Sequence, residues 1–152
     1  MKKIEITAYQ IAERFLGLKE VKGAVDNPQI LAMLKLDNQW PQNDETPWCS
    51  AFVNYVAWLL RLPRSKDLRA RSWINTGIQG DLSKAEVGFD IVVLTRAGDK
   101  SGPEVINAPG HVGFFAGRNK DSVLVLGGNQ GDQVSVLGFD PGRVLAVRRL
   151  AG

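Results

Sequence analysis

The chain contains one cysteine and one histidine, Cys49 and His111, and this pair of side chains is sufficient for acyl transfer. A thiolate attacks a carbonyl carbon, and an imidazole takes the thiol proton and later delivers it to the leaving amine. Cys49 follows Thr46-Pro47-Trp48; Thr46 as N-cap with Pro47 in the first turn predicts a helix that begins just ahead of the sulfur. There, unpaired backbone N–H groups and the positive end of the helix dipole favour an anion, lower a thiol pKa and could hold the oxyanion formed on attack. The competing reading is a small buried hydrophobe, the ordinary condition of a free cysteine. Position shifts the weight toward the reactive reading: a structural cysteine could sit anywhere along this apolar helix, whereas a reactive one belongs near its first turn.

His111 follows Pro109-Gly110 and opens the run His-Val-Gly-Phe-Phe-Ala, so it is expected at the start of a strand, accessible from the end of a sheet. Taken alone it would read as a surface or hydrogen-bonded strand histidine. A third polar group must hold the imidazole in the productive tautomer. Leu126-Gly127-Gly128-Asn129-Gln130-Gly131 supplies two amides just past the next strand; Asn129 is the better candidate, with Gln130 able to serve in its place. The same residues also read as an ordinary hairpin turn. One cysteine excludes an internal disulfide, and with a single histidine leaves too few ligands for a typical structural zinc site.

The elements that must position these residues are legible as helices first and strands second. Ile11, Phe15 and Leu18 lie at helical spacing within Tyr9 to Leu18, and Gly17 and Gly23 break the helix into a turn. Asn27-Pro28 caps a second helix through Leu36. The helix carrying Cys49 runs through Leu60 and stops before Pro63. It is apolar almost all round, so it is buried on most sides. A short helix is expected near Ser72 to Thr76. Strands are expected at Asp90 to Thr95, His111 to Ala116, Ser122 to Gly127, Gln133 to Leu137 and Arg143 to Arg149, with Ala97 to Pro109 as a long hairpin loop. This order predicts an α+β fold, N-terminal helices packed on an antiparallel sheet of about five strands.

With 152 residues, 44% hydrophobic and 23% charged, the chain is expected to form a single globular domain, residues 1–152, with one core. No stretch approaches the roughly 18 to 20 apolar residues of a membrane-spanning helix. The N-terminus lacks an apolar signal-like segment, so no Sec export is expected. The net charge of +3 is spread without any nucleic-acid-binding signature, and no nucleic-acid partner is expected.

Four blocks, Pro47-Trp48-Cys49-Ser50-Ala51-Phe52-Val53-Asn54, Gly88-Phe89-Asp90-Ile91-Val92, Gly110-His111-Val112-Gly113-Phe114 and Gly128-Asn129-Gln130, resemble in order and spacing the successive blocks of the NlpC and CHAP cysteine peptidoglycan hydrolases, which have a papain-like fold. Leu16-Gly17-Leu18-Lys19-Glu20 with Asn27-Pro28 resembles the small phage or prophage endolysin-like branch. The resemblance implies a cysteine heading a helix, a histidine starting the second strand and a polar residue from the third orienting it. It implies cleavage of a stem-peptide amide, by an amidase or endopeptidase, through a Cys49-His111-Asn129 triad and a thioester, with no cofactor and no metal. Many CHAP domains carry a glutamate where this chain has Gly127, so a fourth catalytic member is not expected.

Asp44 and Glu45, upstream of the nucleophile as in that branch, are candidate contacts for substrate amines, with capping or solvation as the alternative. Trp40, Trp48 and Trp73 lie in or beside loops and could line a cleft, although packing is the default for each; Trp58 is assigned to the core. Trp48, Trp73 and Gln130 join the two carboxylates as candidate substrate contacts. Expected partners are peptidoglycan and, for an injected antibacterial toxin, an immunity protein; the protein itself is expected to be a monomer. A non-catalytic wall-binding module and a papain-like peptidase or transferase acting on proteins are the competing readings.

Overall fold

Among the described residues, two of the three α-helices start where a side chain supplies a partner for free N–H groups, and the third, which carries the site, starts differently. In this computed structural model, which describes residues 1–21, 26–41 and 47–151, α1 spans Ala8–Glu13 behind a capping box formed by Thr7 and Gln10. α2, Pro28–Leu34, is capped by the Asn27 side chain. α3 spans Cys49–Leu59, its N-cap residue is Trp48, and no side chain among the described residues caps it. The expected N-cap, Thr46, lies outside the described residues, as does Gly23. Cys49 is the first residue of the helix, so the sulfur stands at the opening turn, where N–H groups lack intrahelical partners.

The first helix is shorter than its apolar spacing suggests. It gives way after Glu13 to tighter turns and to Gly17 at φ +89°, because the chain there pairs with another segment instead of with itself. Gly17 N–H donates to Val134 O, Val134 N–H to Leu18 O and Glu20 N–H to Asp132 O. The strap 17–20 therefore braces the turn beyond the fourth strand. α3 is buried from Cys49 through Ala57 except at Tyr55, and ends at Leu59 before Arg61 takes a left-handed conformation at φ +55°. The short helix expected near residue 72 is a 3₁₀ helix, Ala70–Asn75.

The strands are β1 Ile78–Gln79, β2 Asp90–Thr95, β3 Gly110–Arg118, β4 Val123–Gly127, β5 Ser135–Phe139 and β6 Val144–Arg149. They form one antiparallel sheet in the order β1-β6-β2-β3-β4-β5. The α+β architecture is as expected, with one strand more: β1, two residues long and exposed on both, carries no alternating pattern from which it could have been read. Period-2 alternation sorts the sheet into two faces. Ile91, Val93, Val112, Phe114 and Leu126 pack on the helices, while Val92, Leu94, Phe115, Val123 and Val125 form a second cluster beneath. Phe52 of α3 meets Phe114 of β3 edge to face, with ring centroids 6.1 Å apart.

Two polar anchors fix the connections around α3. Ser50 and Asn54, both buried, bind the 65–67 segment: Ser50 Oγ donates to Asp67 O at 2.6 Å and Lys66 N–H donates to Asn54 Oδ1 at 3.0 Å. Arg71, fully buried, reaches into the β2–β3 loop and donates to the carbonyls of Pro109, Ser101, Gly102 and Val105. That loop leads directly into His111.

Candidate active site

The end of β4 approaches the start of α3 at a place where side chains would collide. A Cβ on Gly128 would stand 2.6 Å from the Trp48 ring and 2.9 Å from Phe52 Cβ. With nothing there, the first turn of α3 settles against the end of the sheet, and β4 leaves its ladder with β3 after Leu126. The backbone of Val112 in β3, with that of Ser50 in the helix's own first turn, then helps to hold the Cys49 thiol down. Cys49 is 4% exposed and lies close enough to His111 for each to shift the other's titration.

His111 Nε2 lies 2.8 Å from Gln130 Oε1, and the protonation of the ring follows from what the rest of the glutamine does. Gln130 Nε2 donates to Val125 O at 3.1 Å and to Ser135 O at 2.8 Å. Both amide hydrogens are thus taken by carbonyls, so the oxygen must face the imidazole and can only accept. His111 Nε2 therefore carries hydrogen, and Nδ1 is the basic nitrogen left for the Cys49 thiol.

The electrostatics agree with this arrangement. Burial pushes the Cys49 thiol up, but the hydrogen bond and charge of His111, with backbone hydrogen bonds from Val112 and Ser50, outweigh it and hold the thiol below its ordinary value. Burial pushes His111 down, as does the charge of Arg96 to a lesser extent; the bond to Cys49, its charge and the bond to Gln130 reverse this and raise the imidazole above its ordinary value. Both shifts favour a thiolate–imidazolium pair.

The structure thus sets Gln130, not Asn129, in hydrogen-bond contact with His111, while Asn129 lines the same cleft. Asn129 sits at φ +59° at the start of a turn that also holds Gly131 at φ +68° and Asp132 at φ +59°. Its role is in the turn, where an asparagine tolerates the left-handed conformation; the next residue's side chain is the one that faces the imidazole. Gln130 is itself held by its own N–H donating to Gln133 O and by Ser135 Oγ donating to Gln130 O.

Three tryptophan assignments are corrected, two of them in favour of the packing that is the default for each. Trp48 and Trp73 are fully buried and cannot line a cleft: Trp48 Nε1 donates to Glu20 at 2.8 Å and Trp73 Nε1 to Ser50 Oγ at 2.9 Å. Trp58, assigned to the core from its mid-helix position, is 47% exposed, and Trp40 is 61% exposed. Asp44 and Glu45 lie outside the described residues. Among the described residues no group of three or more His, Cys, Asp and Glu side chains gathers to hold a metal ion.

Sequence reasoning passed over several residues that build the site. Phe139 stacks on His111 with centroids 5.5 Å apart, and the Arg143 guanidinium lies over the phenylalanine ring, 5.3 Å from its centroid. Arg96, Arg143, Leu137, Phe139 and Asp132 line a cleft of ≈ 570 Å³ against His111 and Gln130. No signal in the sequence pointed to them: the strand expected at Gln133 to Leu137 stops short of Phe139, and β5, which runs to Phe139, is what brings this group to His111.

Helices packed on a six-stranded antiparallel sheet make this an NlpC-type fold. Among the solved structures that share it are NlpC1 and NlpC2 from Trichomonas vaginalis, with TM-scores of 0.56 and 0.58 and sequence identities of 16% and 18%. Each superposition covers 98% of this chain, but 46% and 48% of the respective neighbour, so the chain spans about half their length. No protein-family model and no curated protein matches the sequence.

Proposed function

We propose that the protein is a cysteine hydrolase that cleaves an amide bond of the peptidoglycan stem peptide, either at the lactyl-alanine junction or within the peptide. The observation that carries this reading is the oriented relay from Gln130 through His111 to Cys49, in which the glutamine's two carbonyl bonds fix the proton on Nε2 and leave Nδ1 for the thiol. A binding module has no use for a tautomer held in this way.

In the proposed reaction the Cys49 proton passes to His111 Nδ1 and the sulfur attacks the amide carbon. The oxyanion is held at the first turn of α3, where backbone N–H groups and the helix dipole converge. Collapse breaks the C–N bond as His111 protonates the leaving nitrogen, giving a thioester and a free amine. His111 then takes a proton from water, which attacks the thioester, releases the carboxylic acid and restores the thiol. Gln130 remains hydrogen-bonded to Nε2 throughout and keeps the ring in register.

The proposed setting is attack on the bacterial wall by a monomer, for lysis in the manner of a phage endolysin; an injected toxin neutralised by an immunity protein uses the same chemistry, and gene neighbours distinguish the two. The direct test is digestion of purified peptidoglycan with mass spectrometry of the released fragments. Wild-type protein is expected to release peptide with a new amine terminus, and Cys49→Ala to release none while retaining the wild-type circular dichroism spectrum. Undiminished release by that variant would exclude Cys49 as nucleophile.

A further inference from the structure

The last rung of the β2–β3 ladder pairs Thr95 with Gly110, and each carbonyl of that rung is bound by an arginine side chain. Arg143 donates through Nε and Nη2 to Thr95 O, at 3.1 and 2.9 Å. Arg96 donates through Nε to Gly110 O at 3.4 Å. Both guanidiniums are therefore anchored at the same end of the sheet, on the rung beside His111, and both line the cleft beside the imidazole. Among the described residues neither is in an ion pair with a carboxylate. Arg143 is held further by the Phe139 ring that stacks on His111, so its position is coupled to that of the base. Asp132 is the one acidic residue on the lining among the described residues, against the two arginines.

The anchoring leaves donors unspent. Arg143 uses one edge of its fork on Thr95 O, and Arg96 uses only Nε; the remaining N–H groups have no acceptor among the described residues. Guanidinium N–H groups in a fork geometry match a carboxylate better than any neutral acceptor. The side of the cleft matters as well. His111 delivers its proton to the leaving nitrogen, so the fragment that departs as an amine lies on the imidazole's side, where these arginines are.

We propose that Arg96 and Arg143 form a carboxylate subsite that selects substrates whose amine-side fragment carries a free carboxylate, with the face of Phe139 and the side chain of Leu137 as the apolar floor beneath it. This rests on the amide-cleaving reading for the assignment of the amine side, though binding to the subsite needs no turnover. Amidation of that carboxylate would remove the charge the arginines meet and turn a good substrate into a poor one.

The test separates binding from catalysis. The probes are a synthetic N-lactyl stem tetrapeptide with its carboxylates free and the same peptide with every carboxylate converted to carboxamide. Calorimetry on Cys49→Ala protein is expected to show the free-acid peptide binding at least about tenfold tighter than the carboxamide, a preference that fades with added salt. In Cys49→Ala/Arg96→Gln/Arg143→Gln protein the two peptides are expected to bind alike. Since Arg143 also anchors β2, Arg96→Gln alone is measured in parallel and is expected to lose part of the preference with an unchanged unfolding midpoint. Equal binding of both peptides to Cys49→Ala protein overturns the subsite, whatever the catalytic result. Retained carboxylate preference with no cleavage by the wild-type protein would instead overturn the hydrolase reading and leave the subsite standing.

Discussion

A Cβ placed on Gly127 would stand 2.5 Å from Oε1 of Gln130 and 3.2 Å from Nε2 of His111, so the missing side chain at 127 is what allows the glutamine to reach the imidazole. Gly127 ends β4, and the polar group that meets the imidazole arrives from the turn beyond, three residues later in the chain.

Gly127→Ala is therefore expected to lower activity and stability together. The atom it strikes is the end of the Gln130 side chain, which can move aside only by giving up its bond to His111 Nε2 and its donations to Val125 O and Ser135 O. A fall in kcat/KM of about 10- to 100-fold, with KM nearly unchanged and a lowered unfolding midpoint, is the expected pattern. Equal activity of Gly127→Ala and wild type would show that the glutamine contact contributes nothing.

Asn129 and Gln130 should separate cleanly. Asn129→Gly keeps the left-handed conformation at φ +59° and removes a side chain that does not hold the imidazole, so peptidoglycan digestion is expected to proceed at about the wild-type rate. Gln130→Ala should lose about 10- to 100-fold in kcat/KM. Gln130→Glu is expected to be less stable by about 2 to 4 kcal/mol in urea denaturation, because a carboxylate cannot donate to Val125 O and Ser135 O and leaves both carbonyls facing a charge. Loss of activity in Asn129→Gly with full activity in Gln130→Ala would reverse the assignment.

The central strands β2, β3 and β4 were legible because both their faces are apolar, and β2 falls on Asp90–Thr95 as its valine-rich run predicts. Cys49 at a helix start and His111 near a strand start were equally readable, because proline, tryptophan and glycine punctuate the chain there. What sequence could not convey was reach. Asn129 and Gln130 are adjacent amides in one turn, and choosing between them requires the backbone angle of the first and the two carbonyls that hold the second. The paired glycines 127 and 128 read as turn residues, yet each is required by a close approach, one to Gln130 and the other to Trp48. Trp58 and Trp73 exchanged environments against expectation for the same reason: a tryptophan beside a loop can be sealed by a hydrogen bond to Ser50, and one inside an apolar helix can sit on its outward side.

Arg71 holds the loop that delivers His111. Its guanidinium is fully buried and its Nε and Nη1 serve four carbonyls of residues 101–109, while Nη2 has no hydrogen bond and lies 3.7 Å from Asp99 Oδ1. Lysine has one ammonium and cannot serve the same four acceptors. Arg71→Lys is expected to lower stability by about 2 to 4 kcal/mol in urea denaturation, and to open the 97–109 loop to limited proteolysis under native conditions. An unchanged midpoint and an uncut loop would mean that the backbone of this hairpin holds itself.

The charge state of the Cys49–His111 pair sets a pH dependence whose sign comes from two opposed shifts. The thiol is held below its ordinary value, so the stability it contributes is present above the unfolded thiol pKa and is lost as pH falls through the lowered one. The imidazole is held above its ordinary value, so its contribution is present below the unfolded imidazole pKa and is lost as pH rises through the raised one. Between the lowered thiol and the raised imidazole the ion pair is intact, and alkylation of Cys49 by iodoacetamide should be nearly independent of pH there. It should fall only on the acid side of the thiol's lowered pKa. In His111→Ala, burial remains and the strongest opposing influence is gone, so the thiol moves above the free value of about 8.5. Alkylation near neutral pH should then drop by roughly tenfold or more and climb steadily into alkali. Superimposable pH profiles for the two proteins would mean that the imidazole does not control the sulfur, and the relay on which the hydrolase reading rests would be absent.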